Sequence, residues 1–257
     1  MSGSRDWTRF LRGLVVGLIA CLSWPTSSVA NLEPSSDSQG VEFWLALPGN
    51  WHQFPPKLLD VSLLITANLS TSGTVSIPGL GFSTPFTVMP GLATRVPLPS
   101  AAALGSSDVV ETKGIHLVAL NNVSVYGLNR VPTSTDAYLG LPTQSLGTEY
   151  LVLAYQNFSS LTGSQFAIVA TADETSVSIT PSVTAGERPG GVPYQITLQQ
   201  GQTYRLRNSD PPPSDLSGTS VIADKPIAVF TGHECARIPP EFLFCDHLVE
   251  QLQCGGP

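Results

Sequence analysis

The sequence contains an internal repeat. When it is shifted along itself by about 105 residues, matching segments come into register in the same order. The matched pairs are EFWLAL with EYLVLA, LLITANLSTSGTVSIPG with AIVATADETSVSITPS, FTVMPGLATRVPL with YQITLQQGQTYRL, and VSVYGLN with IAVFTGH. Because chance does not preserve the order of several matches, we expect one structural unit to occur twice. The repeated unit must therefore be a structure that about 100 residues can form.

Each copy has the pattern of β-strands. TVSI, FTVM and VSVY alternate apolar and small polar residues at a period of two, which places one face on a core and the other in water. Turn signals such as PGLGFS and PGLA separate these segments, and LNNVS around Asn122 is expected to be a tight turn between two strands. The sequence predicts an all-β chain with two tandem β-sandwich-like repeats of about 100 residues.

The predicted repeats cover residues 41–140 and 141–245, and residues 246–257 are expected to be a truncated lead-in to a further repeat. A propeller-like fold is one alternative, but its blades have about 45 residues, which is less than half of this period. A single larger β assembly is the other alternative that the pattern of strands leaves open.

The N-terminal segment is typical of a signal peptide. Three arginines precede the apolar run LVVGLIACL, and the small residues of SSVA follow it. We expect residues 1–30 to be removed by cleavage after Ala30, which makes the protein secreted or exposed at the cell surface. A transmembrane helix would need about 20 apolar residues, and this run is shorter. LIAC also fits a lipoprotein signal, so the alternative is a lipid anchor at Cys21 that holds the protein in the outer membrane.

The number and distribution of charged residues argue against a nucleic-acid-binding site and a calcium site. The formal net charge is −7 and the 12 Lys and Arg residues are scattered, so no basic patch is available to bind nucleic-acid phosphates. The acidic residues are dispersed and form no D-x-D-x-D run, so no calcium loop is predicted. We expect no cofactor and no metal.

The segment HECARIPPEFLFCDH, from His233 to His247, concentrates the reactive residue types of the chain. Thiolates and imidazoles are zinc ligands, a Cys near a His can be a nucleophile, and two nearby Cys can form a disulfide. An exported protein favours the disulfide, because an oxidising compartment removes thiolates. The segment is also not an H-E-x-x-H zinc motif, because Arg237 stands where the second His would be.

Three longer segments make the chain similar to a known family. TVSIPGLGFSTPFTV, TKGIHLVALNNVSVYGLNRVPTSTDAYLGLPTQSLGTEYLVLAY and GHECARIPPEFLFCDHLVEQL resemble the IgGFc-binding protein N-terminal domain family, which occurs in secreted animal and bacterial proteins. The chain is identified as a secreted, bacterial member. The resemblance implies a binding or adhesion module without catalytic residues. It also implies a disulfide between Cys235 and Cys245, because paired Cys residues precede DHLVEQ in the family, and Cys254 is then left unpaired.

The sequence therefore predicts an extracellular or cell-surface binding or adhesion module that is not an enzyme. Its expected partner is a protein or glycoprotein at the cell surface. The candidate contact loop is PGNWHQFPP, with Trp51, His52 and Phe54, which has no counterpart in the second copy. Two alternatives remain: a structural spacer repeat of a larger surface protein, and a Cys/His hydrolase or metal-dependent enzyme that uses residues 233–247.

Overall fold

The computed structural model describes residues 38–51 and 59–255, and these residues form an all-β protein, as predicted. The strands are β1 Gly40–Leu45, β2 Asp60–Thr66, β3 Thr71–Ile77, β4 Phe82–Val88, β5 Thr94–Pro97, β6 Val109–Glu111, β7 Ile115–Val131, β8 Ser134–Gly140, β9 Gly147–Leu151, β10 Ser164–Ala170, β11 Thr175–Thr180, β12 Tyr194–Leu198, β13 Thr203–Asn208, β14 Ser220–Ala236 and β15 Asp246–Gln251. Short 3-10 helices occupy Pro78–Leu80, Ser100–Ala102 and Thr143–Ser145. In the part of the chain that the structure describes, no helix is long and apolar enough to span a membrane.

The first sandwich is organised around β7, which has 17 residues. The N-terminal half of β7 pairs with β1 and β3, and its C-terminal half pairs with β2 and β8. β4 extends the first sheet beside β3, and β5 extends the second beside β2. Two antiparallel sheets therefore share one long strand. The tight turn expected at Asn122 is wrong, because this residue lies inside β7.

The second sandwich repeats this pairing scheme around β14. The N-terminal half of β14 pairs with β9 and β11, and its C-terminal half pairs with β10 and β15. β12 and β13 flank β11 and β10, in the positions that β4 and β5 have in the first sandwich. β6 comes from the first half of the chain but pairs with β13, so it adds a strand to the second sandwich.

Burial follows the period of two where only one face of a strand is covered. In β11, Val177 and Ile179 point into the core of the second sandwich while their neighbours Ser176, Ser178 and Thr180 are partly exposed. β10 differs, because all seven of its residues are buried. Phe166 and Ile168 lie in the second core, whereas Ala167 and Val169 lie in the core of the first sandwich. The outer face of the second sandwich is therefore packed against the first.

Strands β8 and β15 complete this contact through reciprocal hydrogen bonds. The amide of Thr135 donates to Asp246 Oδ1 at 2.8 Å, and the amide of Val249 donates to Asp136 Oδ2 at 2.9 Å. The segment predicted as a truncated lead-in thus contains β15, and the second sheet continues to Gln251. The predicted division of the chain at residues 140 and 245 stays a prediction.

Phe230 provides a test of the contact between the sandwiches. Its side chain is fully buried in the first core, with its ring centroid 5.0 Å from that of Tyr138. We expect Phe230→Ala to lower the free energy of unfolding by about 3–5 kcal/mol, measured by urea denaturation, because it leaves a cavity there. Tyr126 is 40% exposed on β7 and is the control, with an expected loss of about 1 kcal/mol or less for Tyr126→Ala. Equal losses from the two variants would contradict the described packing.

Candidate functional site

The loop between β14 and β15, residues 237–245, is closed by a disulfide. Cys235 is buried near the end of β14 and Cys245 directly precedes β15, with a Cα–Cα distance of 5.1 Å. The pairing is the one that the sequence predicts. At the base of the loop, Arg237 stacks over the ring of Phe158 at 4.2 Å, so both ends of the loop are attached to the sandwich. Cys254 is a free cysteine that is partly exposed.

The tip of this loop is apolar and exposed. Phe242 is 59% exposed, Leu243 78% and Phe244 88%, and Ile238 on the other limb is also exposed. Soluble proteins seldom expose neighbouring large apolar side chains without a use for them. Ile238, Phe242 and Phe244 also line a shallow groove that reaches Leu248 on β15. We name residues 237–245 the disulfide loop.

His233 lies on β14 beneath this loop and is fully buried. Its Nδ1 accepts a hydrogen bond from the amide of Cys235 at 3.0 Å, so the ring proton is on Nε2, which donates to Asn157 Oδ1 at 2.9 Å. Burial lowers the pKa of His233 to about 4, so the ring is neutral at physiological pH. This hydrogen bonding makes His233 a structural residue of the strand.

The first sandwich has a related polar pair in the same place. There Asn50 Nδ2 approaches Asn129 Oδ1 at 3.4 Å and also donates to the carbonyl of Ser134 at 3.1 Å. Asn50 and Asn129 align with Asn157 and His233 when EFWLAL is matched to EYLVLA and VSVYGLN to IAVFTGH. His233 therefore stands where the first sandwich has an asparagine.

His247 is also buried and lies on β15. Its Nδ1 is 3.0 Å from the carbonyl oxygen of His233, and as that oxygen can only accept, Nδ1 carries the proton. Burial lowers the pKa of His247 to about 4. The opposite nitrogen, Nε2, has no hydrogen-bond partner among the described residues. The ring joins the two strands at the base of the disulfide loop.

A buried ion pair supports the same end of β14. Arg205 is 2% exposed and donates to Glu234 Oε1 at 2.6 Å and to Gln165 Oε1 at 2.6 Å. Glu234 Oε2 accepts from Arg207 at 2.6 Å and from the amide of Gly163 at 3.0 Å. Sequence reasoning missed Arg205, Glu234 and Asn157. For Arg205 and Glu234, a charged residue within an otherwise apolar strand was the available signal, because such residues are buried only when they are paired.

The structure separates the predicted alternatives for residues 233–247. Both sulfurs are joined, so neither Cys235 nor Cys245 offers a thiolate as nucleophile or zinc ligand in the oxidised state. Among the residues that the structure describes, no three His, Cys, Asp or Glu side chains are grouped so as to hold a metal ion.

The other predicted site residues are placed only in part. Trp51 is partly buried after β1, whereas His52 and Phe54 lie outside the described residues. The predicted signal peptide and Cys21 lie outside them as well.

Comparison of the sequence with known proteins finds similarity to IgGFc-binding protein. Residues 136–253 match the sequence model described as IgGFc binding protein. The second sandwich is thus similar to the IgGFc-binding protein family. The chain is also 35% identical over 242 residues to the human IgGFc-binding protein, a match that covers 91% of the chain and 4% of the human protein. No solved structure matches the chain. The family match includes most of β8, all of β15 and the disulfide loop.

The disulfide should stabilise the folded chain by restricting the unfolded one. Closing a loop of about ten residues is worth about 3 kcal/mol, so we expect Cys235→Ala with Cys245→Ala to lower the free energy of unfolding by that amount. Denaturation of the native chain with and without dithiothreitol is the control, because it breaks the same bond without a substitution. An unchanged denaturation midpoint in both experiments would show that the disulfide does not brace the fold.

Acid should destabilise the fold through the two buried histidines. Their pKa values of about 4 in the folded chain lie below the ordinary value of 6.5, so unfolding takes up protons between these limits. The free energy of unfolding therefore carries the full contribution of the two neutral histidines above pH 6.5. This contribution is lost as the pH falls towards 4, by up to about 1.4 kcal/mol per pH unit for each histidine. Burial raises the pKa of Asp136, which opposes this trend at the acid end of the range.

The substitution His247→Asn retains an amide donor towards the carbonyl of His233 but removes the titrating ring. Urea denaturation between pH 4 and 7 should show a shallower loss of stability for this variant than for the native chain. The same slope in both proteins would show that His247 does not cause the acid effect.

Proposed function

We propose that the chain is an extracellular or cell-surface binding module of the IgGFc-binding type, made of two copies of one sandwich unit. Its ligand contacts the disulfide loop. The observation that carries this proposal is the exposure of Phe242, Leu243 and Phe244 on a loop whose two ends are covalently joined. The similarity of residues 136–253 to a family named for binding supports it.

The loop has the physical properties of a binding surface. Aromatic side chains dominate the binding energy of protein interfaces because each one buries a large apolar area. A loop that is already restricted loses little conformational entropy when it binds. The disulfide and the stacking of Arg237 on Phe158 both restrict this loop before any ligand arrives. The paired cysteines therefore serve binding by fixing the residues between them.

The chemistry of the loop favours a protein or glycoprotein ligand. An apolar tip without a deep cavity fits a groove or a flat apolar patch on another macromolecule better than it fits a small molecule, which binds in concave sites. The name of the human relative gives the Fc part of immunoglobulin G as the first ligand to test. The disulfide also supports the proposed secretion, because such bonds form in oxidising compartments.

Binding to immobilised immunoglobulin G Fc by surface plasmon resonance tests this function. We expect the native chain to bind, and the double variant Phe242→Ser with Phe244→Ser to bind at least about 30-fold more weakly, because the loss of even one aromatic contact worth about 2 kcal/mol lowers the affinity by that factor. The matched control is Met89→Ser with Leu92→Ser, which removes side chains of 59% and 62% exposure from the β4–β5 turn. The control should bind as the native chain does.

Thermal unfolding of each variant confirms that the fold is retained, because all of the substituted side chains are exposed. Failure of the native chain to bind Fc would contradict the ligand assignment. Equal binding by the native chain and the loop variant would contradict the assignment of the contact surface.

A further inference from the structure

Two turns and the middle of β7 meet at one end of the first sandwich. The β2–β3 and β4–β5 turns are neighbours, because β3 begins where β4 ends and β2 ends where β5 begins. The middle of β7 lies beside them, since the amide of Asn121 donates to Thr71 Oγ1 at 3.0 Å. We name this surface the apolar end and define it as residues 67–70, 89–93 and 120–122.

The apolar end exposes four large apolar side chains. Leu69 is 66% exposed, Met89 59%, Leu92 62% and Leu120 78%. Leu69 and Leu120 also line a shallow groove, together with Gln39 from the segment that leads into β1. Neighbouring exposed apolar side chains mark surfaces that contact another molecule or a membrane. The apolar end is therefore a second candidate contact surface, on a different sandwich from the disulfide loop.

The corresponding end of the second sandwich is polar. In the middle of β14, Asp224 aligns with Leu120. The neighbouring Lys225 Nζ donates to the carbonyl of Asp173 in the β10–β11 turn at 2.6 Å. The amide of Gln200 in the β12–β13 turn donates to Asp173 Oδ1 at 2.9 Å. The same framework is thus built with polar turns that bond to one another, so the fold does not require the exposed leucines of the first sandwich.

The composition of the apolar end indicates what kind of surface it meets. Its three segments contain no charged residue and no aromatic residue. The binding energy of protein interfaces comes mainly from Trp, Tyr and Arg. Binding to a lipid surface instead scales with the apolar area that enters the boundary between headgroups and acyl chains. The polar neighbours of the leucines are uncharged amides and hydroxyls, such as Asn68 and Ser70, which can remain among the headgroups. These properties fit a lipid bilayer better than a protein.

We infer that the apolar end binds the surface of a lipid bilayer, with its leucines and Met89 at the acyl boundary. The direction of the chain supports this orientation. Gln39 lines the groove, so the chain enters the first sandwich at the apolar end, from the segment in which the sequence predicts cleavage after Ala30 or a lipid at Cys21. The inference goes beyond Fc binding and is independent of it, since it does not involve the disulfide loop.

Flotation with vesicles of phosphatidylcholine tests the inference. The protein is the chain from Asn31, the predicted start after cleavage, so neither the apolar leader nor Cys21 contributes and every described residue is kept. We expect the native chain to float with the vesicles. Leu69→Ser with Leu120→Ser should lower the partition coefficient at least about tenfold, because burial of one leucine is worth more than the about 1.4 kcal/mol of a tenfold change.

Leu151→Ser with Leu153→Ser is the matched control, because it removes two leucines of similar exposure, 68% and 72%, from the second sandwich. This control should float as the native chain does. Raising the NaCl concentration from about 0.05 M to about 0.5 M should leave flotation of the native chain unchanged, because salt screens only charged contacts. Thermal unfolding checks that each variant keeps the fold.

A native chain that stays in the aqueous fraction would overturn the inference in favour of a protein partner for this surface. Equal flotation of the native chain and the Leu69/Leu120 variant, an equal loss in the control, or loss of flotation at high salt would also contradict it.

Two further variants separate this inference from the proposed Fc binding. Met89→Ser with Leu92→Ser should float more weakly but bind Fc as the native chain does. Phe242→Ser with Phe244→Ser should float normally but bind Fc weakly. Loss of flotation by the second variant would overturn the inference, because the disulfide loop would then be the lipid contact.

Discussion

The burial of both faces of β10 determines how the rest of the molecule is arranged. One face supplies Phe166 and Ile168 to the second core, and the other supplies Ala167 and Val169 to the first core. A strand that is apolar on both sides cannot lie at a surface, because about 25 cal/mol is lost for each Å² of apolar area left in water. The second sandwich therefore cannot turn away from the first. Because the disulfide loop begins at the end of β14, the position of the second sandwich also fixes the position of the base of this loop.

The polar groups at the end of β14 can be buried only because they form hydrogen bonds with one another. A buried guanidinium such as that of Arg205 costs several kcal/mol to desolvate unless a carboxylate and further acceptors compensate. Glu234 and Gln165 provide these acceptors, and His233 and Asn157 satisfy the neighbouring backbone and side-chain groups. Such networks hold one geometry, because any displacement leaves a group unpaired. The hydrogen-bonded polar network at the end of β14 thus fixes the base of the disulfide loop, whose tip is apolar.

Sequence reasoning found the strands better than it found their partners. Alternation in TVSI predicted β3, and the matched order of segments predicted that the two halves would be built alike. It failed at Asn122, because β7 continues through the asparagines and links the half that pairs with β1 and β3 to the half that pairs with β2 and β8. The self-match was also one residue out of register, since it placed Leu63 opposite Ala167, whereas the strand pairing makes Leu64 its counterpart. Local pattern does not fix register where both faces of a strand are apolar.

The candidate site was harder to predict for a related reason. The segment EFLF has the apolar composition of a buried strand, yet Phe242, Leu243 and Phe244 are exposed between Pro240 and a disulfide-bonded Cys. Arg205 and Glu234 are 29 residues apart in sequence, so their pairing depends on the order of strands in the sheet. The two sandwiches also show that the sequence pattern of a strand does not predict whether its outer face is exposed. Their backbones pair alike, yet Ala46 is buried and the aligned Leu153 is exposed, because exposure is decided by which neighbour the outer face meets. One pairing scheme used twice in a chain therefore gives two similar cores but two different surfaces, and it is on these surfaces that binding can differ between the copies.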